Sequence, residues 1–297
     1  MNSMEIDKLL KLLSHEQNII IMGHRTPDVD TLFASYIMKN ILKTYNIESD
    51  FAIIENEKLD DMSQKISKYI FKHTPKIIKE KDIPKYKYFL VDHNDSKQSV
   101  NNKNLIIGGI DHHPDSNNLN NIILGKYAST CLQIYDIFKN KYSFNKEEKN
   151  LIYYATMRDS YFGKSIRYQE KDKKLIKSLG YDETFKGLLE KFFINTDLTN
   201  KEEAFNTNGL KNYEFNNIKF KSTYITAFDT NNLKEYQNFV KNNKENFLGI
   251  YIDIKNEHSY ICLNYNQEFI TKEYDFIVSR GSMIIPEVLK YIRGEHE

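Results

Sequence analysis

The stretch GHRTPDVDT, residues 23–31, sets His24, Asp28 and Asp30 within seven positions. Two later stretches repeat the chemistry: VDHND carries Asp92 and His93, and IDHH carries Asp111, His112 and His113. Carboxylates brought together repel one another and lose hydration unless cations neutralise them. Imidazole with carboxylate suits Mn2+, Co2+, Zn2+ or Fe2+ better than the all-oxygen shells of Ca2+ or Mg2+. The clusters hold more ligands than one ion needs. That points to two ions, the arrangement that holds a bridging hydroxide for hydrolysis.

Each cluster also has an ordinary reading when taken alone. Asp28 or Asp30 could cap a helix beginning near Thr31. Asp92 or Asp111 could be a strand-end turn residue. His15, His73, His258 and His296 match no pattern. Three clusters together are better explained by a shared site than by coincidence.

Three apolar runs, over 18–22, 88–91 and 105–110, read as buried strands, and each ends in one of the clusters. Helical spacing occurs over 32–42, 59–71, 128–140, 146–158 and 169–179. Strands alternating with helices predict an α/β fold whose parallel sheet is flanked by helices. Ligands of such a sheet gather beyond the carboxyl ends of its strands, so the clusters should share one rim. The chain turns polar at TDLTNKEE, 196–203. After it come a helix over 200–212, a strand over 218–228, a helix over 233–244 and strands over 247–254 and 259–263. This order predicts a first domain over 1–194, a linker over 195–203 and a smaller mixed α/β domain over 204–297.

The 42 basic and 41 acidic residues of the 297 leave a formal charge of +1, so no long-range field draws the chain to nucleic acid or a membrane surface. The amphipathic opening MNSMEIDKLLKLL is neither a signal peptide nor a span. Cys131 and Cys262 have no ligand spacing and form no disulfide framework, and Cys131 falls on a helical core face. A reduced, soluble, cytoplasmic protein is expected.

GHRTPDVDT, VDHND, IDHH and the later MRDSYFGKS resemble the four motifs of the DHH phosphoesterase superfamily. In order and spacing they are most similar to the manganese-dependent family II inorganic pyrophosphatases. SRGSMIIP, 279–286, resembles the Ser-Arg-Lys signature of that family's second, DHHA2-like domain. The resemblance implies that His24 and Asp28 hold one ion, that Asp30, His112 and Asp159 hold the other, and that Asp92 bridges both. It implies that His113 faces the substrate phosphate, with Asp92 and His113 as the catalytic pair. Lys211, in GLKNYEF, and Arg280 would be the phosphate-binding cations of the second domain, brought in by closure around the linker.

The implied ions are two Mn2+ (or Co2+), with Mg2+ arriving on the substrate, and the implied reaction splits pyrophosphate into two phosphates. A small-molecule substrate, a homodimer and no nucleic-acid partner go with it. Two departures stand out: Thr26 occupies a position where the family usually has Asn, and Gly281 and Ser282 replace basic residues after Arg280. The rivals are a short-chain polyphosphatase, an oligonucleotide or cyclic-dinucleotide phosphodiesterase, and a non-catalytic phosphate-binding protein. The Gly-Gly-Gly-His-type segment of the oligonucleotide branch is absent from the sequence.

Overall fold

The apolar runs that end in acid and imidazole become neighbouring parallel strands. The computed structural model describes residues 3–59, 61–116, 119–180, 201–215 and 218–294. Its first sheet contains β1 (Ile19–Met22), β2 (Ser49–Ile54), β3 (Lys76–Ile78), β4 (Lys87–Val91), β5 (Ile106–Asp111) and β6 (Ile122–Leu124). They lie in the order β3-β2-β1-β4-β5-β6, with all pairs parallel. From β1 the chain builds outward in one direction and from β4 in the other, which makes the β1/β4 boundary a topological switch point.

The helices of this unit are α1 (Ser3–Leu13), α2 (Val29–Thr44), α3 (Asp61–Ile70), α4 (Thr130–Phe138), α5 (Lys146–Asp159) and α6 (Glu170–Ser178). Because helices cover a parallel sheet on both faces, its central strands are apolar throughout rather than alternating. All four residues of β1 are buried, as are the last four of β4 and of β5. Ile20 and Met22 pair in register with Tyr88 and Leu90, and together with Ala52 and Ile54 they form one core cluster. Strands β2, β3 and β6 were not expected. Two of them have only three residues each, too short for a period to show.

The second sheet contains β7 (Lys211–Phe215), β8 (Ile218–Ala227), β9 (Phe247–Asp253), β10 (His258–Tyr265) and β11 (Glu268–Tyr274), in the order β11-β10-β9-β8-β7. Only β8 and β9 run parallel, so the mixed α/β character holds. Its core gathers Phe205, Ile225, Tyr236, Phe247, Tyr251 and Cys262. The helix expected over 200–212 stops at Thr207, because Gly209 turns the chain at φ +57° and β7 begins at Lys211. The edge strands β7 and β11 were also missed, since they carry polar residues as solvent-facing edges do.

The chain forms two compact units, Met1–Gly163 with Arg167–Glu183, and Lys164–Ile166 with Thr184–Glu297. The predicted boundary at 194 and the linker up to 200 lie outside the described residues. Residues 201–203 open the helix Lys201–Thr207. Among the described residues no helix is long and apolar enough to cross a membrane.

Gly109 tests the tightness of the central sheet. A Cβ there would sit 2.6 Å from the Leu90 carbonyl oxygen and 3.0 Å from Leu90 Cβ, backbone that cannot yield without opening the β4/β5 pair. Gly109→Ala should therefore destabilise the first unit by about 1–3 kcal/mol, the range typical of overpacking. Urea unfolding measures it, and an unchanged midpoint would show that the strands are looser than described.

Candidate metal centre

Parallel registry levels the ends of the three central strands. Met22 pairs with Leu90 and Val91 with Ile110, so the residues just after β1, β4 and the end of β5 emerge side by side. Gly23 permits a close approach here: a Cβ would lie 2.0 Å from Thr31 Cγ2. Thr31 thereby reaches across and donates from Oγ1 to Asp92 Oδ2 at 2.9 Å, while Thr130 Oγ1 donates to Asp92 Oδ1 at 3.1 Å. Asp92 itself sits at φ +63°, a left-handed conformation that Asp tolerates better than most residues. That turn aims its carboxylate along the sheet rim.

The two aspartates of the first motif are held by helix starts. Asp28 caps α2 by accepting from the Thr31 N–H at 3.0 Å, so its ordinary reading holds, yet the same carboxylate also faces His24 and Asp92. Asp30, fully buried, accepts the N–H groups of Thr130 (2.6 Å) and Cys131 (2.9 Å) at the start of α4. Asp159 is the last residue of α5.

Three donor groups result, each with ligand atoms within 4.8 Å of one another: His24, Asp28 and Asp92; Asp30, His112 and Asp159; and Asp92, His112 and His113. Asp92 lies between the imidazoles, with Oδ2 3.5 Å from His24 Nε2 and Oδ1 3.3 Å from His112 Nε2. His112 Nδ1 lies 3.0 Å from the Tyr127 carbonyl, and a proton there would let Nε2, which faces Asp92 and Asp30, ligate an ion in place of donating to Asp92. Arg167 Nη2 approaches the same Nδ1 at 3.1 Å, and only the Tyr127 arrangement leaves Nε2 able to ligate an ion. His113 Nδ1 is held by Asp111 at 2.9 Å, and Asp111 in turn accepts from Asn94 Nδ2 at 2.6 Å.

The electrostatics fit a cation. Burial drives the Asp30 carboxyl well above its ordinary value, and the charges of Asp92, Asp159 and Asp28 push the same way. Burial likewise raises Asp159, to about 6, against the opposing pull of Arg158. Burial also penalises Asp92, but its bonds to His112 and His24 outweigh this and hold it well below the usual carboxylate range. Two carboxyls thus stay short of positive charge in a donor set of carboxylate and imidazole, which suits a first-row divalent ion.

The six residues expected to hold metal, His24, Asp28, Asp30, Asp92, His112 and Asp159, come together in these groups. His93 does not join them. It is buried between the Val91 carbonyl (3.0 Å) and Ser99 Oγ (2.9 Å), with its ring 6.5 Å from that of His24. Lys211 and Arg280 lie together in the second unit. Lys211 pairs with Ser222 across β7 and β8, and Arg280 Nη1 donates to the carbonyls of Gly209 and Ser222. Thr26 is exposed. Sequence reasoning missed Thr31, Thr130, Asn94 and Arg158, of which Arg158 alone carried a signal, as a charged residue in a helix position three after buried Ala155 and four after buried Tyr154.

Burial lowers the His93 pKa from 6.5 to about 4, so the folded chain keeps this imidazole neutral. The unfolded chain binds the proton at higher pH, so stability is lost as pH falls from 6.5 toward 4, by roughly 3 kcal/mol for a shift of this size. In the presence of a chelator, His93→Gln should flatten that acid-side loss relative to wild type in urea unfolding at pH 7 and pH 5. Equal losses in both proteins would show that His93 charges freely in the fold.

A model of the DHH family N-terminal domain matches residues 18–158, which contain every residue of the candidate centre except Asp159. No curated protein matches the chain. Among solved structures, the fold is similar to a Methanococcus jannaschii protein assigned to the family II inorganic pyrophosphatases, with 18% identity and a TM-score of 0.71 over 93% of this chain and 100% of that one. It is also similar to an exopolyphosphatase-related protein from Bacteroides fragilis, with 16% identity and a TM-score of 0.56 over 99% of this chain and 98% of that one. At these identities the likeness concerns the fold. The rim of β1, β4 and β5, with its aspartates and histidines, falls within residues 18–158, the stretch that the model of the DHH family N-terminal domain matches.

Proposed function

We propose that the chain is a metal-dependent phosphohydrolase that splits inorganic pyrophosphate into two phosphates. The observation that carries this reading is the position of Asp92, which is common to two donor groups and is fixed by two threonine hydroxyls. His24, Asp28 and Asp92 would hold one Mn2+ (or Co2+) ion, and Asp30, His112, Asp159 and Asp92 a second; the ions would supply Lewis acidity toward phosphate oxygens and acidify a bound water.

The side chains then have distinct tasks. Asp92 supplies negative charge to the group of His24 and Asp28 and, through Oδ1 3.3 Å from His112 Nε2, beside that of Asp30, His112 and Asp159. Asp30 is kept in place by the start of α4, and a proton on His112 Nδ1 toward Tyr127 would let Nε2 ligate an ion. His113 is partly exposed, and Asp111 and Asp92 raise its pKa despite its burial against the rim. Its protonated ring donates to phosphate oxygen and stabilises charge on the departing phosphate. Lys211 and Arg280 neutralise the remaining phosphate charge, with Mg2+ arriving on the substrate.

A second reading has one observation in its favour. Gly281 follows Arg280 with nothing within 4 Å of where a Cβ would point, so this position leaves room for a longer phosphate chain. The similarity to an exopolyphosphatase-related fold is compatible with such a substrate.

Phosphate release with Mn2+ from pyrophosphate, tripolyphosphate, a dinucleotide and cyclic di-AMP tests the reading, and pyrophosphate should be the fastest. Asp92→Asn should reduce turnover by orders of magnitude and lower bound Mn2+, because Asn keeps the left-handed backbone but removes the shared charge. Full activity with full metal content would make Asp92 structural.

Gly281→Lys adds a cation where the space is open. It should lower the Michaelis constant for pyrophosphate by up to about ten- to a hundred-fold, the scale of a charge-assisted contact, with the gain shrinking at high salt. An unchanged constant for pyrophosphate with slower tripolyphosphate cleavage would favour the longer substrate.

A further inference from the structure

Asn94 lies in the loop that leaves β4, two residues after Asp92, and is only 4% exposed. Its amide can face only one way. Nδ2 donates to Asp111 Oδ2 at 2.6 Å and to the Pro114 carbonyl at 2.9 Å, while Oδ1 accepts the Ser116 N–H at 2.7 Å. Both amide hydrogens and the amide oxygen are therefore in use. A further bond, from Ser116 Oγ to the Asn94 carbonyl at 2.6 Å, closes the stitch between the loops that follow β4 and β5.

Asp111 passes this restraint to His113. Its Oδ2 is taken by Asn94, and its Oδ1 accepts from both the backbone N–H (3.1 Å) and Nδ1 (2.9 Å) of His113. Asp111 is buried and belongs to none of the three donor groups, so its carboxylate acts on His113 and not on an ion. His113 itself has two courses open. Its Nδ1 stands 3.7 Å from Asp92 Oδ1, in the donor group of Asp92, His112 and His113, where a bare nitrogen can ligate an ion. Facing the Asp111 carboxylate instead, Nδ1 carries its proton and cannot ligate.

We propose that Asn94 is a positioning residue: by fixing Asp111 it keeps the proton on His113 Nδ1, and so holds this imidazole for the substrate phosphate and away from the ions. This rests on the phosphohydrolase reading above and gives a task to a side chain of VDHND that the metal groups do not use. Without the Asn94 amide, Asp111 Oδ2 is left buried and unsatisfied, and the pair it forms with His113 is free to turn.

Nitrogen-15 NMR of the histidine rings in the metal-free full-length chain reads the Nδ1 proton directly and without turnover. Wild type should show a His113 Nδ1–H signal that exchanges slowly with water, identified by its loss in His113→Gln. In Asn94→Ala that signal should broaden into exchange. With saturating Mn2+, Asn94→Ala should lower kcat for pyrophosphate by about ten- to a hundred-fold, the usual cost of losing an outer partner of this kind. Calorimetric Mn2+ affinity should not weaken. In the His113→Gln background Asn94→Ala should cost little more, because both changes remove the same task.

Circular dichroism and a melting curve check that each variant is folded. Should Asn94→Ala not fold, Asn94→Ser serves in its place, because its short side chain cannot reach Asp111 and Ser116 together. Absence of the protected proton in wild type, its survival in the folded Asn94 variant, weakened Mn2+ binding, or an undiminished Asn94 effect in His113→Gln would each overturn the positioning role. Absence of pyrophosphate hydrolysis by wild type would instead overturn the reading of the substrate, and the ring-proton measurement alone would then decide whether Asn94 holds His113.

Discussion

Four carboxylates, Asp28, Asp30, Asp92 and Asp159, gather at one rim, and much of the first unit is arranged to tolerate their mutual repulsion. Each is held by something fixed before any ligand arrives. A helix cap holds Asp28, two backbone N–H groups at the start of α4 hold Asp30, and two threonine hydroxyls hold Asp92 in its left-handed turn. Arg158 adds one full positive charge. These partners do not balance the cluster, because burial and neighbouring charge still raise Asp30 and Asp159. A buried site with that residual imbalance selects for a cation.

The parallel sheet supplies both the geometry and part of the compensation. Strands that run the same way end at the same rim, so short loops after β1, β4 and β5 deliver acids and imidazoles to one place. The returning helices begin near that rim, and their first N–H groups lack intrahelical partners. The N-terminus of α2 takes Asp28 and that of α4 takes Asp30, so the same connectivity that crowds the carboxylates also provides donors for them.

What could be read in the sequence follows from how each feature is encoded. Strands β1, β4 and β5 were legible because central parallel strands are apolar on both faces, and the clusters were legible because they sit at the ends of those runs. Strands β3 and β6 are too short for a period, and β7 and β11 are edge strands with polar faces. Asp159 and Lys211 came only through resemblance, since a helix-end acid and a surface lysine have no pattern of their own. Thr31 and Thr130 act by where their hydroxyls land, which no spacing announces. Arg158 was readable in principle. Leu151, Tyr154 and Ala155 are fully buried along one face of α5, and an arginine one turn further on that face needs an acidic partner.

Two opposing pH effects meet at this rim. His93, whose pKa burial lowers to about 4, withdraws stability as pH falls below 6.5. Asp159, raised to about 6 first by burial, does the reverse: the folded state holds its proton more tightly than the unfolded chain, so stability falls as pH rises from about 4 to 6. A cation at the carboxylates removes the second effect, because it stabilises the ionised form that burial opposes. It does not remove the first, since His93 is no member of the donor groups and is held by Val91 and Ser99, and a positive charge beside His24, whose ring is 6.5 Å away, opposes protonation of His93 as burial does. Metal binding should therefore change the shape of the stability curve with pH as well as its height, with the acid-side loss from His93 persisting in the loaded protein.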